Sequence, residues 1–448
     1  MFISQPNSLL HRRGLTLVEV MIAMVMTLVV LGAMMSAFSY GSAEMQKGRA
    51  AIELNNRLVT VESMLRRDLD RITVEVKPHF SLPAEPKGYL EIIDGVDTDY
   101  VPRNDPTVRP SLGLAPFDHG GNQLIFGDRD DYFACTIKSD GQAFRGRFGN
   151  EIVESHLAEV VWFTVPDGST NDPDDALLVR RQLLILPEIT ASGVVGAVGN
   201  YDSFLRENDI SIRRTAAGTL VANSLTELSL RANRFSHSFN PAAGPNGLDP
   251  HRSPTDSTLE GALLVNRFSD DHVMISSIAA FDIQVFDPDA YVRVLSNGEI
   301  VEASDIGAKN STVANRVGVF ARLGGFIDLG KGIMANDNTP PVAFADAGIL
   351  GGPPAAGSFT YTDVVYDTGT SRYNRRLADH PGANGIDDDS DGRVDEPGEN
   401  NTLGTATYRK VVAPYNVPLR GVRFSTRVLE PNTKQVRQMT VNKSFVAE

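Results

Sequence analysis

The chain has 448 residues, with 56 acids against 42 lysines and arginines, giving a formal net charge of −14. An excess of acid on this scale argues against general binding to nucleic acid or to anionic membrane surfaces, which need clustered Lys and Arg. Cys135 is the sole cysteine, which excludes an intrachain disulfide, and the eight histidines are scattered without metal-ligand spacing.

The first predicted element is a membrane span. His11, Arg12, Arg13 and Gly14 precede an apolar run that lasts to about Phe38, with Glu19 as its one charge. As a helix, its roughly 24 residues reach ~36 Å, enough to cross a ~30 Å hydrocarbon core. A cleavable secretory signal has an apolar core of only ~7–15 residues, so this run is too long for one. An ordinary signal anchor fits the length and keeps the basic end cytoplasmic, but it gives no reason for Gly14 or Glu19. A carboxylate within a span costs at least ~2.5–3.5 kcal/mol, which makes Glu19 a candidate functional residue. The plainer alternative is a snorkelling acid, because Glu19 lies one turn from the cytoplasmic end.

The helix is predicted to continue to about Val74. Leu54, Leu58, Val61, Leu65, Leu69 and Ile72 trace one helical face, and Glu53–Arg57 and Glu62–Arg66 are favourable i,i+4 pairs beside it. Gly41 and Gly48 predict a weak or kinked joint between the two halves, and Pro78 closes the element.

Beyond Pro78 the chain turns to short β-rich runs between Gly, Pro, Asn and Asp clusters. Predicted strands are Tyr89–Ile93, Gln123–Phe126, Val160–Val165, Leu177–Leu186, Ser224–Arg231, Ala280–Phe286 and Val317–Leu323. Val160–Val165 and Leu177–Leu183 read as a long-looped hairpin. Val422, Phe424, Thr426 and Val428 alternate with polar residues, Pro431–Lys434 turns, and Val436–Asn442 returns as the last strand. Loops are expected around 185–215, 237–259 and 330–415, with Pro340–Ser358 a linker. The fold class is therefore α+β, a long N-terminal helix packed on a mainly antiparallel β-sheet head with long insertions.

The longest of these loops carries the one chemical constellation. Asp387, Asp389 and Asp391 stand at alternate positions, followed by Gly392, Arg393, Val394, Asp395 and Glu396. Calcium takes six to eight oxygens at ~2.3–2.6 Å, and alternating carboxylates on a tightly wound loop supply them. Gly392 permits the turn, Arg393 offers its carbonyl, and Asp395 or Glu396 completes the shell. The competing reading is a solvated acidic loop. The pattern departs from an EF-hand in having Gly398 at the twelfth position and Pro381-Gly382 where a helix would lead in. Asp172, Asp174 and Asp175 read as another solvated loop. There is no nucleophile elbow, phosphate loop, zinc-ligand spacing or dinucleotide fingerprint, so no catalytic or cofactor-binding residue is assigned and no enzyme is expected.

The order Gly14-Leu15-Thr16-Leu17-Val18-Glu19 resembles the leader junction of the type IV pilin and type II secretion pseudopilin superfamily. The resemblance implies that prepilin peptidase cuts after Gly14, that Leu15 becomes a methylated N-terminus where Phe is usual, and that Glu19 is the fifth mature residue. It implies that 1–14 is a leader, 15–40 the transmembrane helix, 41–77 its amphipathic extension and 78–448 a periplasmic head, with 330–415 an insertion holding the calcium-type loop. Losing Arg12 and Arg13 would take the formal charge to −16. Met64–Arg71, the run Leu-Val-Arg-Arg ending at Arg181 and the Arg-rich final hairpin resemble the large minor subunits, the J-type minor pseudopilin and the W-type minor pilin. Implied partners are other minor and major pseudopilins or pilins, the peptidase and an inner-membrane assembly platform. The alternative from another class is a membrane-anchored, calcium-dependent periplasmic binding protein or adhesin that joins no filament.

Overall fold

A computed structural model describes residues 16–76, 87–94, 129, 131–166, 176–191, 201–215, 219–235, 269–294, 300–301, 319–329, 362–368, 410–412, 418–430 and 436–445. The chain divides into two compact units, Met1–Asn56 and Arg57–Glu448.

One helix, α1 (Leu17–Asp70), runs through the boundary of the units in sequence. Among the described residues it alone is long and apolar enough to cross a membrane. The joint expected at Gly41 and Gly48 does not interrupt it. A helical Gly costs only about 1 kcal/mol, and the Ala, Glu, Met, Gln and Lys residues around these two are strong helix formers. In the second unit Leu58, Val61, Leu65 and Leu69 are buried as their spacing predicts. Each contributes up to roughly 1.5–3 kcal/mol. Glu62 pairs with Arg66 at 2.9 Å on the wetter side. The helix stops at Asp70, short of the expected Val74. The backbone beyond it is captured by a strand: Thr73 N–H donates to Thr136 O, and Lys138 N–H to Arg71 O, both at 2.9 Å.

In chain order the strands are β1 (Leu90–Asp94), β2 (Tyr132–Lys138), β3 (Phe144–Phe148), β4 (Glu151–Ser155), β5 (Leu157–Pro166), β6 (Ala176–Leu184), β7 (Ile212–Arg214), β8 (Leu220–Ala222), β9 (Val273–Ile275), β10 (Ile278–Val294), β11 (Ile300–Val301), β12 (Val319–Ile327), β13 (Thr362–Asp367), β14 (Lys410–Val412), β15 (Gly421–Leu429) and β16 (Val436–Ser444). A larger sheet has the order β14-β13-β1-β2-β5-β6-β9. A smaller one joins β11, β12 and β15 to β10, with β16 paired to β15. Every pairing is antiparallel except β13–β14. The α+β class is as expected.

The predicted hairpins form. Trp162 faces Arg180 across β5–β6, and Phe424 faces Val441 across β15–β16. Val422, Phe424, Thr426 and Val428 point inward and are buried. Phe133 of the larger sheet meets Phe424 edge-on at 5.1 Å between centroids, which ties the two sheets together.

Three sequence expectations change. Ser224–Arg231 is not a strand: Leu225–Leu228 is a short helix, because Ser224 accepts the Glu227 N–H while Glu227 accepts the Ser224 N–H. That reciprocal cap starts a helical turn where a strand was expected. The stretch 185–215 is not simply a loop: it holds short helices at Glu188–Ala191 and Tyr201–Glu207 and strand β7. Buried Tyr201, Leu205, Ile210 and Ile212 anchor this segment. Part of 330–415, expected as an insertion, supplies β13, whose Val365 and Tyr366 are fully buried beside β1. Pro78, the strand Gln123–Phe126, the acidic patch Asp172–Asp175, the stretches 237–259 and Pro340–Ser358, and the turn Pro431–Lys434 lie outside the described residues.

Candidate assembly site

Thr16 and Glu19 form a reciprocal cap at the start of α1. The Thr16 N–H and hydroxyl donate to Glu19 Oε2 at 2.9 and 3.1 Å, and the Glu19 N–H donates to Thr16 Oγ1 at 3.3 Å. A Thr-x-x-Glu order is the sequence signature of this motif, so Thr16 was legible beside Glu19 although it is not among the expected site residues. The cap gives the carboxylate two donors and satisfies amides that the first turn leaves open. It also sits next to the negatively charged side chain's favoured end of the helix dipole. Gly14 and Leu15 immediately precede it, outside the described residues.

The second unit fixes the other end of α1 by charge as well as by apolar packing. Asp68 is buried at 2% exposure and receives Arg180 Nε and Nη2 at 2.8 Å each and Trp162 Nε1 at 2.9 Å. Alternation on β5 and β6 puts Trp162 and Arg180 on the sheet face that α1 covers.

The opposite face carries Glu91, Glu159 and Tyr132, and the segment that includes Ser211, Arg231 and Arg234 covers it. Arg234 forks onto Asp367 at 2.9 and 3.0 Å, reaches Glu91 at 3.1 Å and stacks 4.0 Å over the Tyr89 ring. Arg231 meets Glu91 at 2.5 Å, and all of these charged side chains are fully buried. Burial weakens the Arg234 cation, but Asp367 and Glu91 outweigh it and hold its pKa above the ordinary value. Glu159 accepts Tyr89 O–H at 2.6 Å, Ser211 O–H at 2.5 Å and Phe235 N–H at 3.0 Å. Burial nevertheless raises its pKa against those three bonds. Acids, arginines and hydroxyls are bonded to one another here, which is the chemistry of a structural network.

Cys135 is buried, and burial pushes its thiol pKa well up, as expected for a small apolar core residue. Asp387, Asp389, Asp391, Arg393, Asp395 and Glu396 lie outside the described residues. Among the described residues no group of three or more His, Cys, Asp or Glu side chains is placed to hold a metal.

No curated protein and no solved structure matches the chain. Residues 9–35 match the family model of the prokaryotic N-terminal methylation motif. That match takes in Gly14, Leu15, Thr16 and Glu19, and the apolar helix α1 fits a membrane-anchored protein. The N-terminus of the chain is therefore similar to the prokaryotic N-terminal methylation motif, which supports a type IV pilin-like reading of this end.

Proposed function

We propose that the chain is a minor, pseudopilin- or pilin-like structural subunit that assembles at or near the tip of a type II secretion pseudopilus or a type IV pilus. The observation that carries this reading is the methylation motif at residues 9–35, set on a helix that continues unbroken to Asp70 and enters a β-rich head. Prepilin peptidase removes residues 1–14, and Leu15 is methylated. The new amine then lies beside Thr16, next to the carboxylate that Thr16 already holds. On assembly Glu19 exchanges its cap donors for the amine of a neighbouring subunit, a pairing that sets register more than it adds stability.

In this reading the N-terminus starts in the cytoplasm, the head is periplasmic, and an ATP-driven platform in the inner membrane extrudes the subunit with its major and minor partners. A head of more than 350 residues is hard to repeat along a packed shaft, which favours the tip. The loop Asp387–Glu396 binds a structural calcium ion, supported by its D-x-D-x-D-G spacing. Mass spectrometry of the mature chain tests the class: a start at Leu15 with one added methyl group is expected, and an uncut leader overturns it. Labelled protein found at regular intervals along purified filaments overturns the tip position.

A further inference from the structure

β16 lies at an end of the smaller sheet, paired to β15 along all 9 residues from Val436 to Ser444. Just beyond the strand, Phe445 N–H donates to Arg420 O at 2.9 Å. Bonded pairs alternate along an antiparallel ladder, so Arg437, Met439, Val441 and Lys443 turn their main chain toward β15. Gln438, Thr440 and Asn442 turn theirs away, and all three are exposed. Among the described residues no other strand meets them. The strands that end the larger sheet, β9 and β14, have only 3 residues each. A short edge is one way a sheet avoids pairing with other chains, and β16 is not short.

This edge is basic in an acidic chain. From Arg420 to Phe445 six lysines and arginines stand against Glu430 alone, whereas the whole chain carries −14. Arg437 and Lys443 close the two ends of the row that also holds buried Met439 and Val441. Arg437 is exposed, and Lys443 reaches Asp70 at the end of α1 at 2.6 Å, a pair open enough to water to be shared. On the other face Arg427 donates to Gln438 Oε1 at 3.0 Å, and Arg423 stands opposite Asn442. A strand laid beside β16 would therefore run past cations on both faces.

We infer that the open edge of β16 takes up an acidic, extended segment of a partner protein as an added strand. Main-chain bonds to Gln438, Thr440 and Asn442 hold the segment, and its carboxylates beside Arg437 and Lys443 make the choice of partner. The acidic remainder of the chain repels such a segment elsewhere, which steers it to this edge. A second copy of β16 does not suit the site. In the antiparallel register that pairs the whole strand, centred on Thr440, Arg437 of each copy meets Lys443 of the other, and like charges directly opposite repel. The edge does not depend on the filament reading.

The test is fluorescence anisotropy of the full chain in detergent with a labelled peptide of alternating Glu and Val. Saturable binding is expected, weakened by salt and absent for the same peptide with every amide N-methylated. Binding slows hydrogen exchange at the Gln438, Thr440 and Asn442 amides. Arg437→Glu, at an exposed position, weakens the acidic peptide by roughly tenfold or more and favours a peptide of alternating Lys and Val instead. Thr440→Pro abolishes binding, because it removes an edge-facing N–H and no bond to β15. Unfolding followed by Trp162 fluorescence shows that both variants fold. No saturable binding, equal binding of the N-methylated peptide, or indifference to Arg437→Glu overturns the proposal. Concentration-dependent dimers of the chain that are lost in Thr440→Pro would give the edge to a second copy and overturn it as well.

Discussion

Asp68 and Arg180, 112 residues apart in sequence, form a two-toothed ion pair whose nitrogen–oxygen distances are both 2.8 Å. Asp68 belongs to the last turn of α1 and Arg180 to β6, so the pair joins the end of the helix to the larger sheet. Trp162 completes the cluster from the adjacent strand, with its indole N–H on the same carboxylate and the Arg180 guanidinium 5.9 Å from its ring. The carboxylate is almost wholly shielded from water, so each partner depends on the other.

Removing one member should be costly for that reason. Asp68→Ala is expected to destabilise the second unit by ~3–5 kcal/mol, since it leaves the Arg180 charge poorly compensated. Trp162 is the sole tryptophan, so denaturant unfolding of the full chain in detergent reads this site directly. A loss below ~1 kcal/mol, the scale of an exposed pair, would refute the clamp.

Glu159 sets a pH dependence. Its folded pKa is raised above the ordinary 4.5, first by burial. Its contribution is therefore fully present below pH 4.5 and is lost as pH rises through the raised value. Glu159→Gln keeps an acceptor for Tyr89 and Phe235 but does not titrate. The stability of the variant relative to the parent should accordingly grow from pH 4.5 towards neutrality, and a flat difference would contradict the assignment.

Asp209 runs the other way. Burial alone would raise its pKa, but His272, the Arg181 charge and the Arg147 N–H outweigh burial and hold it well below 3.8. Its stabilisation is present above pH 3.8 and is lost as pH falls through the folded value. Asp209→Asn should cost stability at neutral pH and bring the variant closer to the parent in strong acid, measured by the same unfolding curves.

Gly324 on β12 has φ +92°, and a Cβ there would come 2.9 Å from the Phe286 ring. Gly324→Ala should therefore destabilise the smaller sheet by roughly 1–3 kcal/mol through strain and displacement of Phe286 from Phe326. A neutral thermal shift would show that the ring moves aside freely.

The loop from Asp387 to Glu396 is expected to bind calcium in calorimetry of the full chain. Asp389→Ala and Asp391→Ala should each abolish the heat, because each deletes a charged oxygen ligand. Equal binding by parent and variants would leave the loop a solvated acidic segment.

Local patterns were the legible part of this fold. The span, the stripe from Leu58 to Leu69 and the β5–β6 and β15–β16 hairpins follow from periodicity, because side-chain direction in a helix or strand depends on near neighbours alone. Ser224–Glu227 and Thr16–Glu19 carry their capping signatures in the sequence, as a Ser or Thr followed three residues later by Glu. The end of α1 was not legible, since strand β2 captures its backbone from more than 60 residues away.

The amino-acid sequence by itself determined that this chain has an apolar helix with a Gly-Leu-Thr-Leu-Val-Glu junction, an amphipathic continuation and a β-rich head. Only the tertiary structure decided that Asp68 is held by Arg180, that residues 362–367 enter the sheet beside β1, and that Arg231, Arg234, Glu91 and Asp367 are buried together. The physical reason is that a buried charge needs a partner at hydrogen-bond distance. That partner is chosen by the folding of distant strands onto one another, which no local spacing encodes.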